Sequence, residues 1–100
     1  PEGTPADLAL AQALMTGAEL PAEMPGGVAR DYAGAFAGAE PAIAEGVGEA
    51  ILAALTLLAP GAEADTQDRV SALRTLRAAG QETTARRIAA DLILTGGRAP

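Results

Sequence analysis

Glu45 and Glu49 stand four residues apart, a spacing that on a helix puts two carboxylates on one face roughly 6 Å apart. Such a pair can ligate a divalent cation or divide acid and base roles. It is also what a solvated helical face ordinarily carries, and the chain has no histidine to complete a carboxylate metal site of the helical-bundle type. Tyr32, the single tyrosine, is the other polar group that could join them around a small ligand or cation.

A second concentration of chemistry is basic. Arg69, Arg74, Arg77, Arg86 and Arg87 carry guanidinium groups able to grip phosphate. Asp65 with Arg69, Glu82 with Arg86, and Arg87 with Asp91 are spaced as helical ion pairs. Each such pair contributes only ~0.2 to 0.5 kcal/mol, but together they neutralise the patch. Arg74 and Arg77 fall in the last turns of their helix, where cations suit its dipole. No aromatic residues interleave to stack bases, so nucleic acid is not an expected partner. Ser71, the lone serine, has no His or Lys to activate it, and without Lys there is no phosphate-cradling loop of the Gly-rich type.

The absences bound the rest. There is no His, Cys, Lys, Trp or Asn, while 26 of 100 residues are Ala. General acid-base work falls most often to His, covalent catalysis to Cys, Lys or an activated Ser, and transition-metal binding to His or Cys. No catalytic residue and no cofactor are therefore expected. Missing Lys and Asn beside abundant Ala, Gly, Pro and Arg is the pattern of GC-rich codons and points to a high-GC bacterium. Zero Cys excludes disulfides and thiolate zinc without choosing a compartment.

Charge is unevenly placed. Of the net −6, residues 1–60 hold eight acids against Arg30 alone, whereas residues 61–100 hold five acids against six arginines. The acidic first half disfavours nucleic acid and anionic membrane. Its longest uncharged stretch, residues 50–62, is shorter than the ~18 residues of a membrane span, so the chain reads as soluble. It opens at Pro1 without a basic, apolar leader and is expected to be a processed or excised part of a larger chain.

Five helices are expected to position these groups. The first is capped by Thr4, has Pro5 at its first position, and stops at Gly17; Leu8, Ala11 and Met15 share one side and Leu10 and Leu14 widen it. Pro21, Pro25, Gly26 and Gly27 make residues 17–27 a flexible connection. A second helix over 28–38 aligns Val28, Tyr32, Ala35, Phe36 and Ala39, with Gly34 and Gly38 at a spacing that permits close helix approach. A third over 41–59 carries Ile43, Val47, Ile51, Ala54, Leu55 and Leu58 and is apolar nearly all round beyond Ala50, which makes it the expected central helix. Gly46 and Gly48 mark a kink or a later start in it, and Pro60 and Gly61 end it. Asp65, with Asp68 three residues on, caps a fourth helix that buries Val70, Leu73 and Leu76 and stops at Gly80. The fifth, over 82–95, gathers Ala85, Ile88, Ala89, Leu92 and Ile93 and ends at Gly96 and Gly97. The short link through Gly80 and Gln81 forces the last two into an antiparallel hairpin.

That closing hairpin, with Leu73, Leu76 and Gly80 followed by Ala85, Ile88, Ala89 and Leu92, resembles the helix pair of tetratricopeptide-like solenoids over roughly a third of the chain. The aromatic and closing proline positions of those repeats are absent, and the resemblance implies helix pairing only.

The reading is thus an all-α domain spanning residues 1–100, its five short helices arranged as antiparallel hairpins in an irregular bundle or short superhelical stack. A core of Ala, about a dozen Leu, Tyr32 and Phe36 is thin at roughly 25 cal/mol per Å² of buried apolar surface, so support from a neighbour is expected. The expected function is a non-catalytic interaction or assembly domain of a larger bacterial protein, binding a protein partner or a second copy. Leu10, Leu57 and Leu94, with Arg74 and Arg77, are the candidate surface. The alternatives are a ligand- or cation-binding regulatory domain using Glu45, Glu49 and Tyr32, or a helical lobe of an enzyme whose chemistry lies elsewhere.

Overall fold

A computed structural model describes residues 5–22, 25–38, 41–59 and 62–95. Five helices and no strand occur among them: α1 (Pro5–Thr16), α2 (Val28–Gly34), α3 (Val47–Leu58), α4 (Thr66–Ala78) and α5 (Glu82–Leu94). Thr4, Ala39, Pro60, Gly61, Gly96 and Gly97 lie outside the described residues.

The α4–α5 hairpin is specified most sharply. Asp65 accepts the Asp68 amide at 2.8 Å while Asp68 accepts the Asp65 amide at 3.3 Å, a reciprocal cap that satisfies two otherwise orphaned donors. At the other end the chain reverses through Gly80 at φ 82°, with the Gln81 amide reaching back to the Leu76 carbonyl at 2.8 Å and the Gly80 amide to Arg77 at 3.0 Å. This closing geometry needs the left-handed conformation that glycine adopts without a Cβ penalty. The same device ends α1, where the Ala18 amide donates to Ala13 at 3.0 Å.

Around that hairpin, α1 packs on α5, α3 packs on α4, and α2 sits against both α4 and α5. The core fills the space between them. Leu10 and Leu14 from α1, Tyr32 from α2, and Leu73 and Leu76 from α4 are its largest fully buried side chains. Ala85, Ala89 and Ala90 of α5 are also fully buried. Small residues there let neighbouring helices approach closely, which is how an Ala-rich chain closes a core with few large side chains. The radius of gyration, 12.8 Å, matches the ~13 Å expected of a compact chain of this length.

Five expectations are revised. In α1 the inward face turns through Leu10, Ala11, Ala13 and Leu14, leaving Leu8 and Met15 exposed. With apolar residues spread round the helix, periodicity did not choose among faces, and the α5 surface did. In α2 the helix stops at Gly34 and tightens into i to i−3 bonds, from Ala35 to Tyr32 at 3.1 Å and from Phe36 to Ala33 at 3.0 Å. Gly34 and Gly38 are not a close-approach motif, since a Cβ at either would meet nothing within 4 Å. The third helix does not begin near Pro41. Gly46, left-handed at φ 69° and ψ 28°, precedes its first residue Val47, and the connector before it is pinned by the Ile43 amide to the Ala78 carbonyl at 3.1 Å. Nor is α3 central: Ala54 is its one buried residue among the described ones, because only the side facing α4 finds a partner. Of the 17–27 connection, residues 23 and 24 lie outside the described residues; Leu20, before them, is half-buried and packs against the core.

Candidate interaction surface

Arg77, placed by the last turn of α4, is the most heavily engaged polar side chain among the described residues. Its Nη1 donates to the Ala35 carbonyl at 2.8 Å and its Nη2 to the Gly38 carbonyl at 2.6 Å, both in the turn that follows α2. Its Nε meets Glu82 Oε1 at 3.3 Å across the hairpin turn. The guanidinium lies 5.6 Å from the Phe36 ring centroid, and Arg86 approaches the same ring at 5.5 Å. Glu82 closes the set by accepting from Arg86 Nε at 3.0 Å, one of the three expected helical pairs. One carboxylate thus joins two guanidiniums that both lie against one aromatic ring.

Energetically this is a clamp. Arg77's side chain is only 8% exposed, yet its Nε, Nη1 and Nη2 all have partners, which avoids the penalty of a buried, unpaired cation. Charge-assisted bonds of this kind contribute about 1.5 to 3 kcal/mol, and a cation over an aromatic face adds about 0.5 to 2 kcal/mol. The Glu82 carboxyl is held below the usual carboxylate range, first by the hydrogen bond from Arg86 and next by Arg77, against the opposing pull of desolvation. Among the described residues, two buried side-chain polar atoms have no hydrogen-bond partner, the Tyr32 hydroxyl and Arg86 Nη1.

The expected site residues therefore scatter. Leu10 is fully buried under α5 and contributes core, not surface. Arg77 likewise is not a surface group, because the α2 turn and Glu82 cover it. Leu57 and Leu94 are half-buried and pack against the core, whereas Arg74 is exposed. Glu45 lies in a bend ahead of α3 while Glu49 is in its first turn, so helical spacing does not place them on one face. Both are exposed, Tyr32 is fully buried, and no cluster of three or more carboxylates able to hold a metal occurs among the described residues.

What the sequence did not reveal is the outer face of α3. Gly48, Glu49, Leu52, Ala53, Leu55 and Thr56 all point away from the domain, with Leu52 68% and Leu55 38% exposed. The Thr56 hydroxyl donates to the Leu52 carbonyl at 2.9 Å, so it is satisfied by its own helix. Glu49 is the only charge on the helix. α3 thus has one face on α4 and leaves Leu52 and Leu55 of the other in water, as α1 leaves Leu8 and Met15. No helix among the described residues is long and apolar enough to cross a membrane. Comparison with protein-family models, with curated proteins and with solved structures finds no match to this chain.

Two outcomes follow from the clamp. Arg77→Ala should lower unfolding stability by about 2 to 3 kcal/mol in urea titrations, and Arg77→Lys should recover less than half of that, because a single ammonium cannot serve the Ala35 and Gly38 carbonyls and stack on Phe36 together. Full recovery by Lys would contradict the forked geometry. Glu82→Gln should destabilise by less than about 1 kcal/mol at neutral pH, since its half-exposed side chain is screened by solvent. Because the folded-state carboxyl titrates below its unfolded value, that contribution is present above the ordinary carboxylate range and is lost as pH falls through Glu82's own depressed pKa. Wild type and Glu82→Gln should therefore converge in acid and differ most near neutrality; the reverse order would refute the assignment.

Proposed function

We propose that this chain is a non-catalytic protein-interaction domain that docks a partner on the outward face of α3. The supporting observation is the pair Leu52 and Leu55, exposed on a helix whose opposite face already anchors it to α4. Monomeric domains seldom leave a whole apolar helical face in water, and faces that are left so commonly serve as docking grooves or ridges. The α2–α4–α5 core, locked by Arg77, supplies the rigid base from which such a ridge is presented. The side-chain repertoire supports the non-catalytic part of the reading, since the chain has no His, Cys or Lys, the residues to which acid-base and covalent catalysis most often fall.

The proposal is tested by panning a displayed peptide library on the intact chain. Enriched peptides should bind wild type and lose roughly tenfold or more in affinity to Leu52→Ser, a substitution at so exposed a position that the melting temperature should stay the same. Failure to enrich any peptide, or binding that is indifferent to Leu52 and Leu55, would overturn it.

A further inference from the structure

We infer that the partner docked on α3 is a basic amphipathic helix, one whose apolar stripe is flanked by Lys or Arg. This rests on the proposal that the α3 face is the docking surface, and adds the chemistry of what sits there.

The argument is one of charge around the stripe. From residue 41 to residue 68 the chain carries Glu45, Glu49, Glu63, Asp65 and Asp68 and not a single base. All five carboxylates are in exposed residues, and three of them, Glu45, Glu49 and Glu63, flank α3 in sequence, two near its start and one just after its end. Between them the helix offers Leu52 and Leu55 with no cation of its own. An exposed apolar strip flanked in sequence by carboxylates favours a partner whose own apolar strip is flanked by cations, and disfavours one flanked by anions.

Size points the same way. Twelve helical residues at 1.5 Å each give a ridge about 18 Å long and roughly 10 Å wide. That suits three or four turns of a partner helix with anchors at i, i+3, i+4 and i+7. It is far short of the ~800 Å² per partner typical of a stable protein interface, so it suits a short helical segment bound weakly and not the stable pairing of two folded copies. Such a copy would also bring its own net −6 and the same unbalanced carboxylates to the contact. An anionic membrane surface is disfavoured by that same rim.

The experiment uses the full chain and three synthetic 18-residue helical peptides with one shared Leu stripe and flanks of Lys, Gln or Glu, followed by calorimetry and by amide NMR. The Lys peptide should bind, shift the α3 amides, and weaken by roughly tenfold as salt rises from 50 to 300 mM. It should also lose affinity severalfold to Glu45→Gln/Glu49→Gln and be abolished by Leu52→Glu, whose unchanged melting temperature is the check that lost binding is not lost folding. The Glu peptide should not bind. If Lys, Gln and Glu peptides bind α3 equally, the docking face stands and the basic partner is refuted. Leu52-dependent self-association in light scattering, with no peptide bound, would instead name a second copy and refute it as well. If no peptide binds and the chain stays monomeric, both the partner and the docking face fall.

Discussion

One guanidinium ties three elements together. Arg77 belongs to α4, bonds the carbonyls of the turn after α2, and meets Glu82 at the start of α5. The turn after α2 leaves carbonyls without helical donors, and the forked guanidinium, with five donors, serves two of them while reaching a carboxylate. Phe36, one of two aromatic residues in the chain, gives that cation an apolar face to lie on. A short helix of seven residues would be marginal by itself; held at its C-terminal turn, α2 can bring Tyr32 and Phe36 into the core.

The clamp matters because the hydrophobic core is lean. Much of what α5 buries is alanine, whose small area stabilises little but whose size admits close neighbours. Such a core leaves little apolar surface with which to hold a further helix. α3 is accordingly held along one side, by α4 and by the Ile43 to Ala78 bond in the connector before it. Its outer side keeps Leu52 and Leu55 in water. The exposed ridge is thus a consequence of how the core is filled.

Sequence and structure agree where a local rule acts on a few neighbouring residues. The Asp65–Asp68 cap, the Gly80 stop, the hairpin it forces, the Glu82–Arg86 pair and the all-helical class are of this kind. They part where the outcome depends on which surface a helix meets. In α1 and α3 apolar residues run round most of the helix, so the 3.6-residue period selects no unique face; contact with α5 buried Leu10 in place of Leu8, and contact with α4 left Leu55 outside. Arg77 was readable as a helix-terminal cation but not as a clamp, because its acceptors are main-chain carbonyls about forty positions away, at Ala35 and Gly38. The Glu45 and Glu49 pair failed for a local reason, the left-handed Gly46 between them.

The domain divides into a clamped α2–α4–α5 core with α1 on one side, and an α3 held by one face. Native-state hydrogen exchange measures that division directly. Slow-exchanging amides of α4 and α5, with those of Ala35 and Phe36, should open only with global unfolding, whereas those of α3 should open at a distinctly lower free energy. Amides of α3 protected to the global limit, with α2 exchanging first, would contradict it.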